Sequence, residues 1–160
     1  MVNTPRKKSP RAPTMALGEA LERAAKAYDK ERLHSAPTNV VAQNLGYKGI
    51  NGPALAALAS LRYYGILERP REGQLAVTKD FEGFKYSPSE DLKRSFLINF
   101  LRKPALFAEL LDKYDSGLPS DANLKYDLIQ RGFIPSSAAS VVAVFRQSIE
   151  FAGYFDKDDL

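Results

Sequence analysis

The chain has 160 residues, 44% hydrophobic and 26% charged, enough for one ordinary domain or two small packed ones and too balanced for a disordered or fibrous protein. It has no cysteine, which excludes a disulfide framework and thiolate metal sites. Its formal charge of +4 lies entirely in residues 1–14, where Arg6, Lys7, Lys8 and Arg11 have no acid beside them; residues 15–87 carry ten basic and eight acidic side chains, and residues 88–160 nine and eleven.

The longest nearly apolar run, Pro53 to Leu61, falls well short of the ~20 residues that span a bilayer. No apolar segment follows the basic start, so it does not read as a secretory leader, and the expectation is a cytoplasmic chain with no membrane partner. Met15 is an alternative initiator.

Residues 1–14, with Pro5, Pro10 and Pro13, read as a disordered basic tail able to grip phosphates by releasing counterions. Leu17, Ala20, Leu21, Ala24 and Tyr28 recur at helical spacing and predict a helix to Glu31. Thr38 reads as the N-cap of a short helix through Leu45, with Gly46 as its stop. Pro53 opens a third helix that runs to Tyr64 and ends at Gly65. "ILERPREGQLAVT" then gives two β-prone runs about a polar turn at Arg71 to Gln74, with Pro70 on an edge strand. The order predicts a winged helix over 15–87, its core built from Leu21, Ala24, Tyr28, Val41, Leu45, Leu58, Leu61, Ile66, Leu67 and Val77.

Phe81, Phe84 and Tyr86 punctuate a connecting stretch and are expected to cover a seam between two halves. Residues 88–160 read as helical. Leu92, Phe96, Leu97 and Phe100 mark one helix, and Pro104 opens another with Leu106, Phe107, Leu110, Leu111 and Tyr114 inward. Ser120 caps a helix to Arg131, stopped by Gly132, and a last helix buries Val141, Val142, Phe145, Ile149 and Ala152 before Gly153. "AYDKE" and "KYDSG" close a first helix in each half, Gly46-Tyr47 and Gly132-Phe133 a second, Gly65 and Gly153 a third. That order predicts a degenerate, wingless three-helix repeat of the first half, so the fold class is mainly α with a small β-hairpin.

The stretch "LASLRYYGILERPREGQLAVT", with Leu58, Leu61, Gly65, Ile66, Leu67 and Glu68 followed by a basic tip, resembles bacterial winged-helix (helix-turn-helix) transcription regulators over residues 40–78. With "GYKGINGPAL" and "GLPSDANLKYDLIQRGF", the whole chain is similar to a family of small bacterial proteins of unknown function, which implies no activity. The regulator resemblance implies that the third helix enters a major groove and that the wing reaches phosphate or a minor groove.

If Ala54, Leu58 and Leu61 face the core, Ala56, Ala59, Ser60 and Tyr63 face outward with Arg62 at the edge. Direct reading of purines favours Arg, Lys, Asn or Gln, and this face offers almost none. The expected nucleic-acid contacts are therefore mostly to the backbone, from Lys48, Arg62, Arg69, Arg71, Lys79 and the basic arm. Asn51, Ser60 and Tyr63 would make what base contacts there are, and the wing would also contribute Gln74. The expected role is a small duplex-DNA-binding or transcription-regulatory accessory protein. The alternative is a winged-helix adaptor that binds protein and no nucleic acid, since a small-residue face with Tyr63 suits a partner helix. Residues 88–160 would supply a homodimer or partner surface.

No catalytic constellation emerges. His34 is a lone histidine in a loop, Asp121 to Asp127 lacks the central glycine and closing glutamate of a calcium loop, and Gly46, Gly49 and Gly52 lack a strand–loop–helix context for phosphate. No enzyme activity, metal or cofactor is expected.

Overall fold

The stripe from Leu17 to Tyr28 becomes the buried side of helix α1 (Leu17–Glu31) in the structure, a computed structural model that describes residues 10–156. A two-residue strand β1 (Ala36–Pro37), α2 (Thr38–Asn44) and α3 (Gly52–Tyr63) follow. Asn51 starts α3 by accepting the Ala54 N–H at 2.8 Å, and Pro53 occupies the first turn, where a missing donor costs nothing. Strands β2 (Leu67–Arg71) and β3 (Gln74–Val77) form the hairpin. β1 joins the other side of β3, so the antiparallel order is β1-β3-β2. Pro70 lies on β2, an edge strand.

This order of helix, strand, helix, helix and hairpin is the winged-helix order, and the described chain is mainly helical with one small sheet. All ten predicted core residues of this half are buried. The strand β1 escapes sequence reading because two residues carry no periodicity. Thr38 does not cap α2; its hydroxyl instead donates to the Gly73 carbonyl at 3.2 Å.

Residues 79–85 are not a bare connection but a helix, α4 (Lys79–Lys85). Thr78 caps it by accepting from the Phe81 N–H, and Asp80 and Glu82 in its first turn suit the helix dipole. Gly83 hides the pattern in the sequence because the Phe96 ring sits where its Cβ would be, at 2.6 Å. Then come α5 (Glu90–Arg102), α6 (Ala105–Lys113), α7 (Asp121–Gln130) and α8 (Pro135–Ala152). Leu92 is exposed at the start of α5.

One continuous apolar cluster runs through both halves. Phe107 joins them, with its ring 6.2 Å from Tyr64 and 4.9 Å from Phe145. Of the aromatics after the hairpin, Phe84 faces Phe100 of α5 at 6.0 Å, whereas Phe81 and the largely exposed Tyr86 turn to Tyr28 of α1 at 5.9 and 6.1 Å.

The matched stops share a geometry. Gly46 and Gly132 have φ of +106° and +105°, the left-handed region that glycine tolerates, and each is followed by an N–H that reaches back five residues. Five residues before Gly65 and Gly153 stand Ser60 and Ser148, both buried. The Ser60 hydroxyl accepts from the Thr14 and Met15 N–H groups at 2.9 and 3.3 Å. The Ser148 hydroxyl accepts from the Leu17 N–H at 2.9 Å. α1 has no capping side chain of its own at Ala16, so α8 supplies the missing acceptor. Tyr64 adds a bond from its hydroxyl to the Met15 carbonyl at 2.8 Å.

This clamp corrects the picture of a wholly disordered tail. Residues 10–14 lie against the body: Pro13 is buried, and Pro10 approaches Gly132 at the α7–α8 turn.

Candidate nucleic-acid interface

Lys48 in the α2–α3 turn, Arg62 near the end of α3, Arg69 and Arg71 on β2, and Lys79 at the start of α4 are all exposed. None of the five has a carboxylate within 4 Å among the described residues. In the second half, four cations are taken up: Arg102 by Asp112, Lys113 by Asp127, Arg131 by Asp127 and Glu109, and Arg146 by Asp121. Among the described residues, these four cations of the second half are thus paired, whereas the five on the winged side are not.

Arg62 and Lys79 line one hollow of about 540 Å³ where α3, β2 and α4 meet. Lys103 enters the same hollow from the α5–α6 turn, its stem 3.4 Å from where a Cβ would stand on Gly65. Sequence reasoning missed Lys103, because nothing local links it to a wing some thirty positions earlier. Glu68 and Asp80 share this hollow and temper its charge.

At the hairpin tip Arg71 lies opposite Gln74, which is half-buried. The Gly73 carbonyl accepts the Thr38 N–H at 3.1 Å, so the turn is tied back to the start of α2.

The reader face differs from the expectation at one position that matters. Ser60 is only 1% exposed, and its hydroxyl is occupied by residues 14 and 15. It is withdrawn from any base because the N-terminal segment covers that side of α3. The open side instead presents Leu55 (51% exposed) and Arg62, with Ala56, Ala59 and Tyr63 half-exposed and Ile50 (48% exposed) just before the helix. Asn51 is exposed but spends its carbonyl on capping, which leaves only its amide N–H groups to reach outward.

Arg6, Lys7 and Lys8 lie outside the described residues; Arg11 is exposed. Pro10 sits beside Gly132 at the α7–α8 turn.

The perturbed side chains elsewhere serve packing. Asp127 is buried; burial pushes its carboxyl up, yet bonds from Lys113 (2.8 Å), Tyr114 (2.6 Å) and Arg131 (2.7 Å) outweigh this and hold it at about 2. The Tyr28 phenol is raised above its usual range, chiefly by its 2.6 Å bond to the Glu82 carboxylate. Burial raises that of Tyr64. His34 is exposed. Among the described residues no three His, Asp or Glu side chains gather as a metal site, and no helix is long and apolar enough to cross a membrane.

Compared with family models, curated proteins and solved structures, the chain shows no significant match.

Proposed function

We propose that the winged half binds duplex DNA through its phosphates, with little reading of bases, as an accessory protein acting in the cytoplasm. The observation that carries this reading is the set of five exposed cations on α3, its flanking turn, the hairpin and α4 that have no acidic partner among the described residues. A cation already held by a carboxylate must surrender it to reach a phosphate; a free one only releases counterions. Methyl groups and one phenol on α3 cannot form the bidentate bonds that identify a base, so sequence preference would come from duplex shape.

A second reading has its own support. Ile50 and Leu55 expose apolar surface on the same side of α3, which suits a protein partner and no nucleic acid.

Titration of a short duplex at several salt concentrations separates the two. The first reading expects affinity that falls steeply with salt, and a slope that drops by roughly 1 for each of Lys48→Ala, Arg69→Ala and Arg71→Ala. No binding at low salt, or indifference to all three changes, overturns it.

A further inference from the structure

Gly65 follows α3, and its polar backbone is already spent. Its N–H donates to the Arg62 carbonyl at 3.0 Å, and its own carbonyl accepts the Thr78 hydroxyl at 2.8 Å. A ligand resting there must therefore be held by side chains. Two hollows meet at this glycine: the one of about 540 Å³ on the winged side, and a second of about 330 Å³ beside the end of α5. Gly65, Asp80 and Lys103 line both, so the two adjoin across the join between the halves.

Lys103 is exposed, yet its stem is in place, with three carbons 3.4 to 3.6 Å from where a Cβ would stand on Gly65. A lysine stem laid along a surface has lost part of its freedom before any ligand arrives. Among the described residues its ammonium has no ion-pair or hydrogen-bond partner, as is true of Arg62 and Lys79 in the same hollow. The neighbouring Arg102 differs, because Asp112 and the Tyr154 hydroxyl hold its guanidinium. Glu68 and Asp80 also line the hollow, so its three cations exceed its two carboxylates by one charge. A phosphodiester, which carries a single negative charge, balances that set.

We propose that one backbone phosphate of a duplex sits in this hollow among Arg62, Lys79 and Lys103, so that the second half takes part in the binding surface. The inference rests on the duplex reading above and extends it to a residue outside the winged half. Two features favour a phosphodiester over a free phosphate ion. One is the charge balance. The other is β2, which walls the hollow with Leu67 and Glu68 and leads on to Arg69 and Arg71, cations for further phosphates of one strand.

The test is anisotropy titration of a short duplex at several salt concentrations with the full chain, beside Lys103→Met, Lys103→Arg, Glu68→Gln and Lys26→Ala. Lys103→Met keeps a stem over Gly65 and removes the charge, so far-UV circular dichroism and the urea midpoint should stay at the wild-type values. It should weaken duplex binding about three- to tenfold at low salt and lower the salt slope by about 1, and Lys103→Arg should restore both. Glu68→Gln should tighten binding, a change of sign that a merely structural role would not give. Lys26→Ala on α1, which does not line the hollow, removes the same charge and should shift affinity less than about twofold.

Wild-type binding that Lys103→Met alters no more than Lys26→Ala does overturns this proposal and leaves the function above standing. Weakening by Lys103→Met, with indifference to Lys48→Ala, Arg69→Ala and Arg71→Ala, overturns the contacts given there and supports the hollow. No duplex binding at low salt overturns both. Inorganic phosphate, titrated by NMR against wild type and Lys103→Met, tests the other source of the anion. Phosphate binding that Lys103→Met abolishes, with duplex affinity unchanged, makes the hollow a free-anion site and overturns the duplex phosphate.

Discussion

Replacing Asp127 by asparagine removes the one buried carboxylate among the described residues of the second half and leaves its shape almost unchanged. The carboxyl is held at about 2 against an ordinary 3.8, and that lowering corresponds to about 2 kcal/mol of native stability. The sign follows from the lowered value. The contribution is complete above about pH 5, where the carboxyl is ionised in both states, and fades as pH falls through 4 and then 2. Lys113 and Arg131 reach solvent from their side of the network, so their loss of a partner adds little further cost. Urea unfolding followed by circular dichroism at pH 7 and pH 3 reads the effect directly. Asp127→Asn should be less stable than wild type by about 2 kcal/mol at pH 7 and by roughly half as much at pH 3. An equal gap at both values, or no gap at pH 7, would mean that the bonds to Asp127 are geometric coincidences without energetic weight.

Three further outcomes follow from the packing. Ser148→Ala strips the Leu17 N–H of its acceptor and should lower stability by about 1–2 kcal/mol, measured in the same urea titration; a neutral result would show that water substitutes for the hydroxyl. Phe107→Ala, between Tyr64 and Phe145, should cost about 3–5 kcal/mol, and the wild-type chain should unfold in one calorimetric transition. Two separated transitions would contradict a shared core. Removing residues 1–14 uncovers Ser60 and should lower the thermal midpoint while the helical spectrum persists, whereas an unchanged midpoint would make the segment a bystander.

Regular stripes were readable from the sequence because burial imposes them. The 3.6-residue spacing in α1, the glycine stops after α2 and α7, and the hairpin about Glu72-Gly73 are local signals with local causes. What sequence could not convey is what covers what. Ser60 sits at an outward-looking position of α3, and only the return of residues 14 and 15 across that side removes it from the interface. Lys103 joins Arg62 and Lys79 by the same kind of long-range meeting. α4 was concealed for the opposite reason, since a glycine placed to admit the Phe96 ring looks like a break in a helix. Exposure of the cations themselves was foreseeable, but their lack of acidic partners was not, because pairing depends on which helices become neighbours.

The bond between Leu17 and Ser148 spans 131 positions. During synthesis the first helix leaves the ribosome long before the serine that completes its leading end exists. Until α8 arrives, α1 has an open amide at its tip, and the segment before it has only half of its anchorage. The winged half is thereby finished by α8, so maturation of the proposed binding surface waits for a helix made much later than the hairpin.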